Sequence, residues 1–138
     1  MFASMEDELR AKRDIQAADK AHKDNVNRAR NLESLGSAIC ESYKTKSQLT
    51  KEDLKTLEKA EKLAKNLRES LGGSDDDVEL KDPPPDLATA IERIGTLTAS
   101  LREKVEKTPK RVISTEVIDE ANVLLQLIRM VRGLHPRA

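Results

Sequence analysis

Few side chains in this chain of 138 residues have the chemistry of a catalytic or regulatory site. Its two histidines are His22 and His135, and its one cysteine is Cys40. His22 is a candidate phosphoacceptor and Cys40 a candidate redox thiol. A nucleophilic pair of the two would have to span about 27 Å along one continuous helix, so we expect them not to meet. We expect His22 to be exposed on a polar helix and Cys40 to be a half-buried small apolar side chain.

The motifs that hold metals, phosphates or cofactors are missing from the sequence. Neither histidine follows a glutamate by three positions, which argues against a Glu-x-x-His metal site in a helical bundle. No HExxH, CxxC or GxxxxGK occurs, and the five glycines form no phosphate-binding loop. One cysteine allows no intrachain disulfide and no cysteine zinc cluster. The sequence therefore predicts a non-enzymatic protein without metal or cofactor.

One short segment is basic and free of acids, and it contains Lys107, Lys110 and Arg111. Further arginines follow near the C-terminus, at positions 129, 132 and 137. These residues are candidates for contact with nucleic acid. However, 25 basic and 25 acidic residues give no net charge, whereas domains that bind a phosphate backbone usually carry a basic excess. A nucleic-acid-associated regulator is therefore an alternative interpretation and not the first one.

The segment 72–85 is predicted to be an acidic, proline-rich linker. Ser74 precedes three aspartates, and three consecutive prolines end at Pro85. The acids around Ser74 resemble the context that casein-kinase-type enzymes favour, and a phosphate there would add to an already negative segment. Ser74 is thus a candidate phosphosite, and a purely solubilising linker is the competing interpretation.

The side chains around these candidates favour helices throughout. Leu, Ile and Val together supply 31 core candidates, against two aromatic residues. No run alternates apolar and polar side chains over the length of a strand. The composition and the apolar stripes predict an all-α, antiparallel bundle of about four helices with a long, partly extended first helix.

Capping residues mark where these helices begin. Thr50 with Asp53 forms a capping-box pattern before the second helix, Asp86 precedes the third, and Ser114 precedes the fourth. The fourth helix is apolar on most of its circumference from Val123 to Val131. We therefore expect the other three helices to surround it.

The first helix, roughly 5–44, is about twice as long as the other three. We divide the chain into a polar extension or first half of helix 1 at 1–30 and a bundle core at 31–138. The excess length needs a cover, by self-pairing or by a partner's helix, unless this half is mobile. The candidate partner-binding residues share one thin apolar stripe: Ile15, Ala18, Val26, Ala29 and Leu32. Gly36, farther along the same helix, predicts a kink or a close helix crossing.

These observations favour a non-enzymatic helical docking or scaffold module whose partner is another protein or a second copy. A phosphotransfer or redox-regulatory bundle is a further alternative. No apolar run approaches 18 residues, and no signal-peptide core precedes the first helix. We therefore expect a soluble, intracellular and cytoplasmic protein without a membrane partner.

Overall fold

The computed structural model describes residues 4–74, 80, 82–110 and 112–134, with the side chain of Leu134 excepted. Four α-helices occupy most of these ranges, and no strand occurs within them. The helices are α1 (Met5–Lys46), α2 (Lys51–Ser70), α3 (Leu87–Lys107) and α4 (Thr115–Leu134). The predicted all-α bundle with a long first helix is confirmed.

The helices begin at the predicted capping residues. The Thr50 hydroxyl accepts from the Asp53 backbone N–H at 3.1 Å, and the Asp53 carboxylate accepts from the Thr50 N–H at 2.9 Å. The Asp86 carboxylate accepts from the Thr89 N–H at 2.7 Å at the start of α3. The Ser114 hydroxyl accepts from the Val117 N–H at 3.3 Å at the start of α4. These bonds satisfy backbone donors that a helix leaves unpaired in its first turn.

Each helix contacts two others, so the four helix axes stand at the corners of a square. α1 and α4 both pack against α2 and α3, while the pairs α1/α4 and α2/α3 lie on the diagonals. Two contacts in each of three helix pairs show that neighbours run antiparallel, since the residue number rises along one helix as it falls along the other: Arg30–Glu106 and Cys40–Ile91, Glu61–Arg132 and Arg68–Asn122, and Ser100–Glu120 and Lys104–Glu116. The expectation that three helices surround α4 is corrected: α2 and α3 flank it, and α1 lies opposite.

This arrangement makes α2 and α3 run in the same direction, so the connection between them returns along the length of the bundle. Its described residues are attached to the fold. A Cβ on Gly73 would lie 2.7 Å from the Ile118 side chain of α4, and Leu80 packs against the core. Arg93 of α3 donates to the Asp82 carbonyl, and Pro84 is buried. The connection is therefore a crossover that is partly packed against the bundle.

The core is formed by the facing stripes of all four helices. The fully buried large side chains include Leu32, Leu67, Ile94, Leu124, Leu127 and Ile128. Burial of most of the α4 circumference is therefore confirmed. No helix among the described residues has the length and apolar content needed to cross a bilayer.

Candidate functional site

The N-terminal part of α1 projects beyond the bundle. α1 contains 42 residues and is about 63 Å long, whereas the other helices contain 20 or 21 residues and are about 30 Å long. Every residue from 5 to 17 is exposed, and the first buried residue of α1 is Asn25. We call residues 5–17 the arm. It is about 20 Å of helix without a neighbour in the described chain.

The arm continues the face that α1 buries in the bundle. The buried residues of α1 are Asn25, Ala29, Leu32, Gly36 and Ile39. Positions seven or fourteen residues before them lie nearly on the same face, since seven residues make almost two helical turns. These positions hold Ala11, Ile15 and Ala18. The stripe that packs in the core therefore extends into solvent along the arm.

The loop between α3 and α4 lies at the base of the arm. Val112 lines a small cleft together with His22 and Asn25 of α1, and Lys110 lines another cleft with Lys23. Val112 and Ile113 are 51% and 65% exposed. The loop thus lies against α1 just below the arm, and two of its apolar side chains face solvent.

All exposed large apolar side chains of the described residues lie at this end of the molecule. They are Met5, Leu9 and Ile15 on the arm and Val112 and Ile113 on the loop. We call these five residues, with the arm stripe between them, the arm-end surface. Their concentration at one end distinguishes this surface from isolated exposed apolar side chains, which are ordinary on proteins.

The charges of this surface are divided between its two parts. The first turn of the arm contains Glu6, Asp7 and Glu8, and no basic residue precedes Arg10 within the described chain. The end of α3 contributes exposed Lys107, and the loop contributes exposed Lys110. Lys107 also pairs with Glu103 on its own helix at 2.6 Å. The tip of the arm is therefore acidic, and the loop at its base is basic.

The predicted partner-binding residues fall into two groups. Ile15 is 43% exposed, and Ala18 and Val26 are half-buried, with Val26 packed against the core. Ala29 and Leu32 are completely buried, so they are core residues and are not accessible to a partner in this fold.

Asn25 and Ala29, on the N-terminal side of the predicted division at residue 30, are buried in the bundle. The exposed apolar residues Met5, Leu9, Val112 and Ile113 were not among the residues predicted from the sequence. The adjacent Val112 and Ile113, in a loop that is otherwise basic, were the available signal.

The predicted basic residues do not form one patch. Lys107 and Lys110 lie at the arm end, whereas Arg129 and Arg132 lie toward the other end of α4. Both arginines pair with Glu61 of α2, at 3.4 Å and 2.5 Å. Arg111 and Arg137 lie outside the described residues, as do the acids at 75–77 that follow the exposed Ser74.

Cys40 and His22 stay apart on the same unbroken helix. The Cys40 thiol donates to the Ile91 carbonyl at 3.4 Å, and its sulfur lies 2.7 Å from where a Cβ on Gly95 would be. Burial raises the pKa of this thiol, which disfavours the reactive thiolate. In the described ranges, no three His, Cys, Asp or Glu side chains converge as a metal site would require.

A groove of about 830 Å³ lies between α3 and α4 beneath the crossover. Leu97, Val123 and Leu127 form its apolar floor, and Glu92 and Asp119 lie on its rim. Its described lining residues include no adjacent nucleophile and base.

Comparison of the chain with protein-family models, curated proteins and solved structures finds no match in any of the three.

Proposed function

We propose that this protein is a non-enzymatic docking module that holds another polypeptide at the arm-end surface. The observation that carries the proposal is the position of the exposed large apolar side chains. Among the described residues all five lie on the arm and on the adjacent loop, and the other large apolar side chains are at least partly covered.

A helical partner suits this surface for physical reasons. A free helical end of about 13 residues is marginally stable in water, so a second helix along the Ala11–Ile15 face would stabilise it. The same face already packs against α3 further along α1, at Gly36 against Thr98. A helix laid along the arm would extend the packing of the bundle, with Val112 and Ile113 as contacts at its end.

The other interpretations have less support. The arginines of α4 pair with glutamate and are distant from the basic loop, which leaves little continuous positive surface for nucleic acid. Cys40 donates its thiol proton and has a raised pKa, which does not suit a redox sensor. We also propose that the protein acts in the cytoplasm, because a lone thiol suits a reducing compartment.

Site-specific photo-crosslinking in the native host tests the docking function. A photoreactive phenylalanine analogue is placed at Ile15, at Ile113 or at the exposed Lys59 of α2 in three full-length variants. We expect defined protein adducts from positions 15 and 113 and none of these from position 59. Ile113→Asp should also remove the adduct formed at position 15, because both positions belong to one surface. Equal adducts from all three positions, or none at 15 and 113, would refute the proposal.

A further inference from the structure

We infer that the polypeptide held at the arm-end surface is a second copy of this chain, with the two arms paired antiparallel and the acidic tip of each arm against the α3–α4 loop of the other. This inference rests on the proposed docking function and names its partner.

The geometry of the bundle favours the antiparallel arrangement. α3 already runs antiparallel to α1 and ends at Lys107, at about the height of Arg30, and the loop that follows it reaches α1 at His22. A second arm that also runs antiparallel to α1 would lie in line with α3, beyond the end of that helix. Its N-terminus would then lie against the α3–α4 loop. The overlap would run from residue 5 through the arm to His22, where the α3–α4 loop meets α1, and would be about 27 Å long. Its midpoint lies between residues 13 and 14, which places Ile15 of both copies near the two-fold axis.

The charges select a second copy in this direction. The tip of one copy carries Glu6, Asp7 and Glu8, and the base of the other carries Lys107 and Lys110. Antiparallel pairing brings the two sets together twice, once at each end of the dimer. Parallel pairing would place the two acidic tips side by side, which is unfavourable. One chain carries both the acidic tip and the basic residues at the arm base, so two copies have complementary charges.

The apolar side chains fit the same arrangement. Ala11 and Ala18 flank Ile15 on the arm stripe, and small side chains let two helices approach closely. The tip residues Met5 and Leu9 would come to the height of Val112 and Ile113 of the other copy. One occupant therefore covers Ile15 on the arm and Val112 and Ile113 on the loop, whereas Leu9, about 120° around the helix from Ile15, lies away from the paired stripe. The area is small for a protein interface, so we expect a dimer that depends on concentration.

Charge reversal tests the pairing by sedimentation equilibrium of the full chain. The tip variant carries Glu6→Lys, Asp7→Lys and Glu8→Lys, and the loop variant carries Lys107→Glu and Lys110→Glu. We expect the wild type to dimerise and each variant alone to dimerise at least roughly tenfold more weakly. An equimolar mixture of the two should regain mixed dimers with about the wild-type constant, since each tip again meets an opposite loop. The matched control, Lys55→Glu with Lys59→Glu, reverses two exposed charges in the N-terminal half of α2, away from the arm, and should leave dimerisation unchanged.

Lysines in the first turn oppose the helix dipole, so the tip variant could weaken the dimer simply because its arm frays. A second variant separates this effect from the loss of pairing. Ile15→Asp leaves the first turn intact and should also weaken the dimer, with the helix content by circular dichroism unchanged. A wild-type chain that stays monomeric, or a mixture that does not recover, would overturn the inference. Adducts to a different protein from positions 15 and 113, with a monomeric wild type, would refute the second copy and leave the docking function standing. Absence of both dimer and adducts would refute both proposals.

Discussion

Gly36 of α1 and Thr98 of α3 meet where the two helices cross in close contact. A Cβ built on Gly36 would overlap the Thr98 hydroxyl and would lie 3.1 Å from the Thr98 Cβ and Cγ2 atoms. Thr98 is fully buried, and its hydroxyl donates to the Gly95 carbonyl at 2.9 Å. The glycine therefore permits the close crossing of α1 and α3 within the bundle.

We expect Gly36→Ala to destabilise the bundle. The added methyl group meets a buried side chain whose hydroxyl is already bonded, and overpacking of this kind costs about 1–3 kcal/mol. The better helix propensity of alanine offsets up to about 1 kcal/mol of that cost. Urea unfolding monitored by circular dichroism measures the net change in the free energy of unfolding.

Two control variants separate sterics from propensity. Gly133→Ala adds a methyl group where nothing lies within 4 Å, so it should be neutral or slightly stabilising. In a chain that already carries Thr98→Ala, Gly36→Ala should lower the free energy of unfolding by less than it does in the wild type. A stabilising effect of Gly36→Ala alone would contradict the close crossing.

Arg68 of α2 and Asn122 of α4 form a buried polar pair. The two residues are 2% and 5% exposed, and the Arg68 guanidinium donates to the side-chain oxygen Oδ1 of Asn122 at 3.1 Å. Asn122→Leu should cost about 1–3 kcal/mol, because a buried donor loses an acceptor. The double variant, Arg68→Met with Asn122→Leu, should cost less than the sum of the two single changes, because the bond between the two side chains can be lost only once. A double-mutant cycle by urea unfolding measures this coupling, and additive effects would show that the pair is not coupled.

The N-cap of α3 should make stability depend on pH in acid. The Thr89 N–H donates to the Asp86 carboxylate, which lowers the pKa of this carboxyl below its ordinary value. A lowered folded-state pKa stabilises the protein above the unfolded-state pKa of about 4, and the stabilisation is lost as the pH falls through the folded-state value. Thermal unfolding should therefore show Asp86→Ala less stable than the wild type at neutral pH, with the difference shrinking below about pH 4.

Asp86→Ser serves as the control for this effect, since its hydroxyl caps the helix without titrating. The Tm of Asp86→Ser should change less with pH over the acid range than that of the wild type. A constant difference between the wild type and Asp86→Ala down to strongly acidic pH would contradict the assignment.

Cys40 should react slowly with thiol reagents in the folded protein. Burial raises the pKa of its thiol, so the thiolate fraction near neutral pH is lower than that of an ordinary cysteine. The rate with Ellman's reagent should rise on unfolding in urea and should increase with pH through the alkaline range. Gly95→Ala should change this rate, because its new methyl group would contact the Cys40 sulfur. A native rate equal to the unfolded rate would show that Cys40 is accessible and favour the redox interpretation.

Amide hydrogen exchange should vary along α1. Residues 5–17 have no neighbouring helix in the described chain, so their hydrogen bonds open by local fraying and should exchange quickly in dilute solution. Amides from Asn25 to Tyr43, which face α2 and α3, should be protected. Raising the protein concentration should slow exchange in the arm and leave α3 unchanged if the arms pair. Strong protection of the arm at the lowest concentration would contradict a free arm.

The sequence by itself determined the helices and where they begin. Thr50, Asp86 and Ser114 act locally, because a capping side chain bonds to a backbone group three residues away. The apolar stripe of α4 likewise required burial, since water disfavours such a surface wherever the helix packs. Local spacing therefore predicted the fold class, the starts of α2, α3 and α4 and the excess length of the first helix.

Only the tertiary structure decided which helices are neighbours and which apolar residues stay exposed. Ala29 and Leu32 occupy the same stripe as Ile15, and the stripe cannot show where α2 and α3 end beside it. The direction of α3 depends on the crossover, whose packing through Leu80 and Pro84 has no periodic pattern. Periodicity records which face of a helix is apolar, whereas the distance to the next helix depends on contacts far apart in the chain. The arm-end surface is such a result, since it joins residues about 100 positions apart in the sequence.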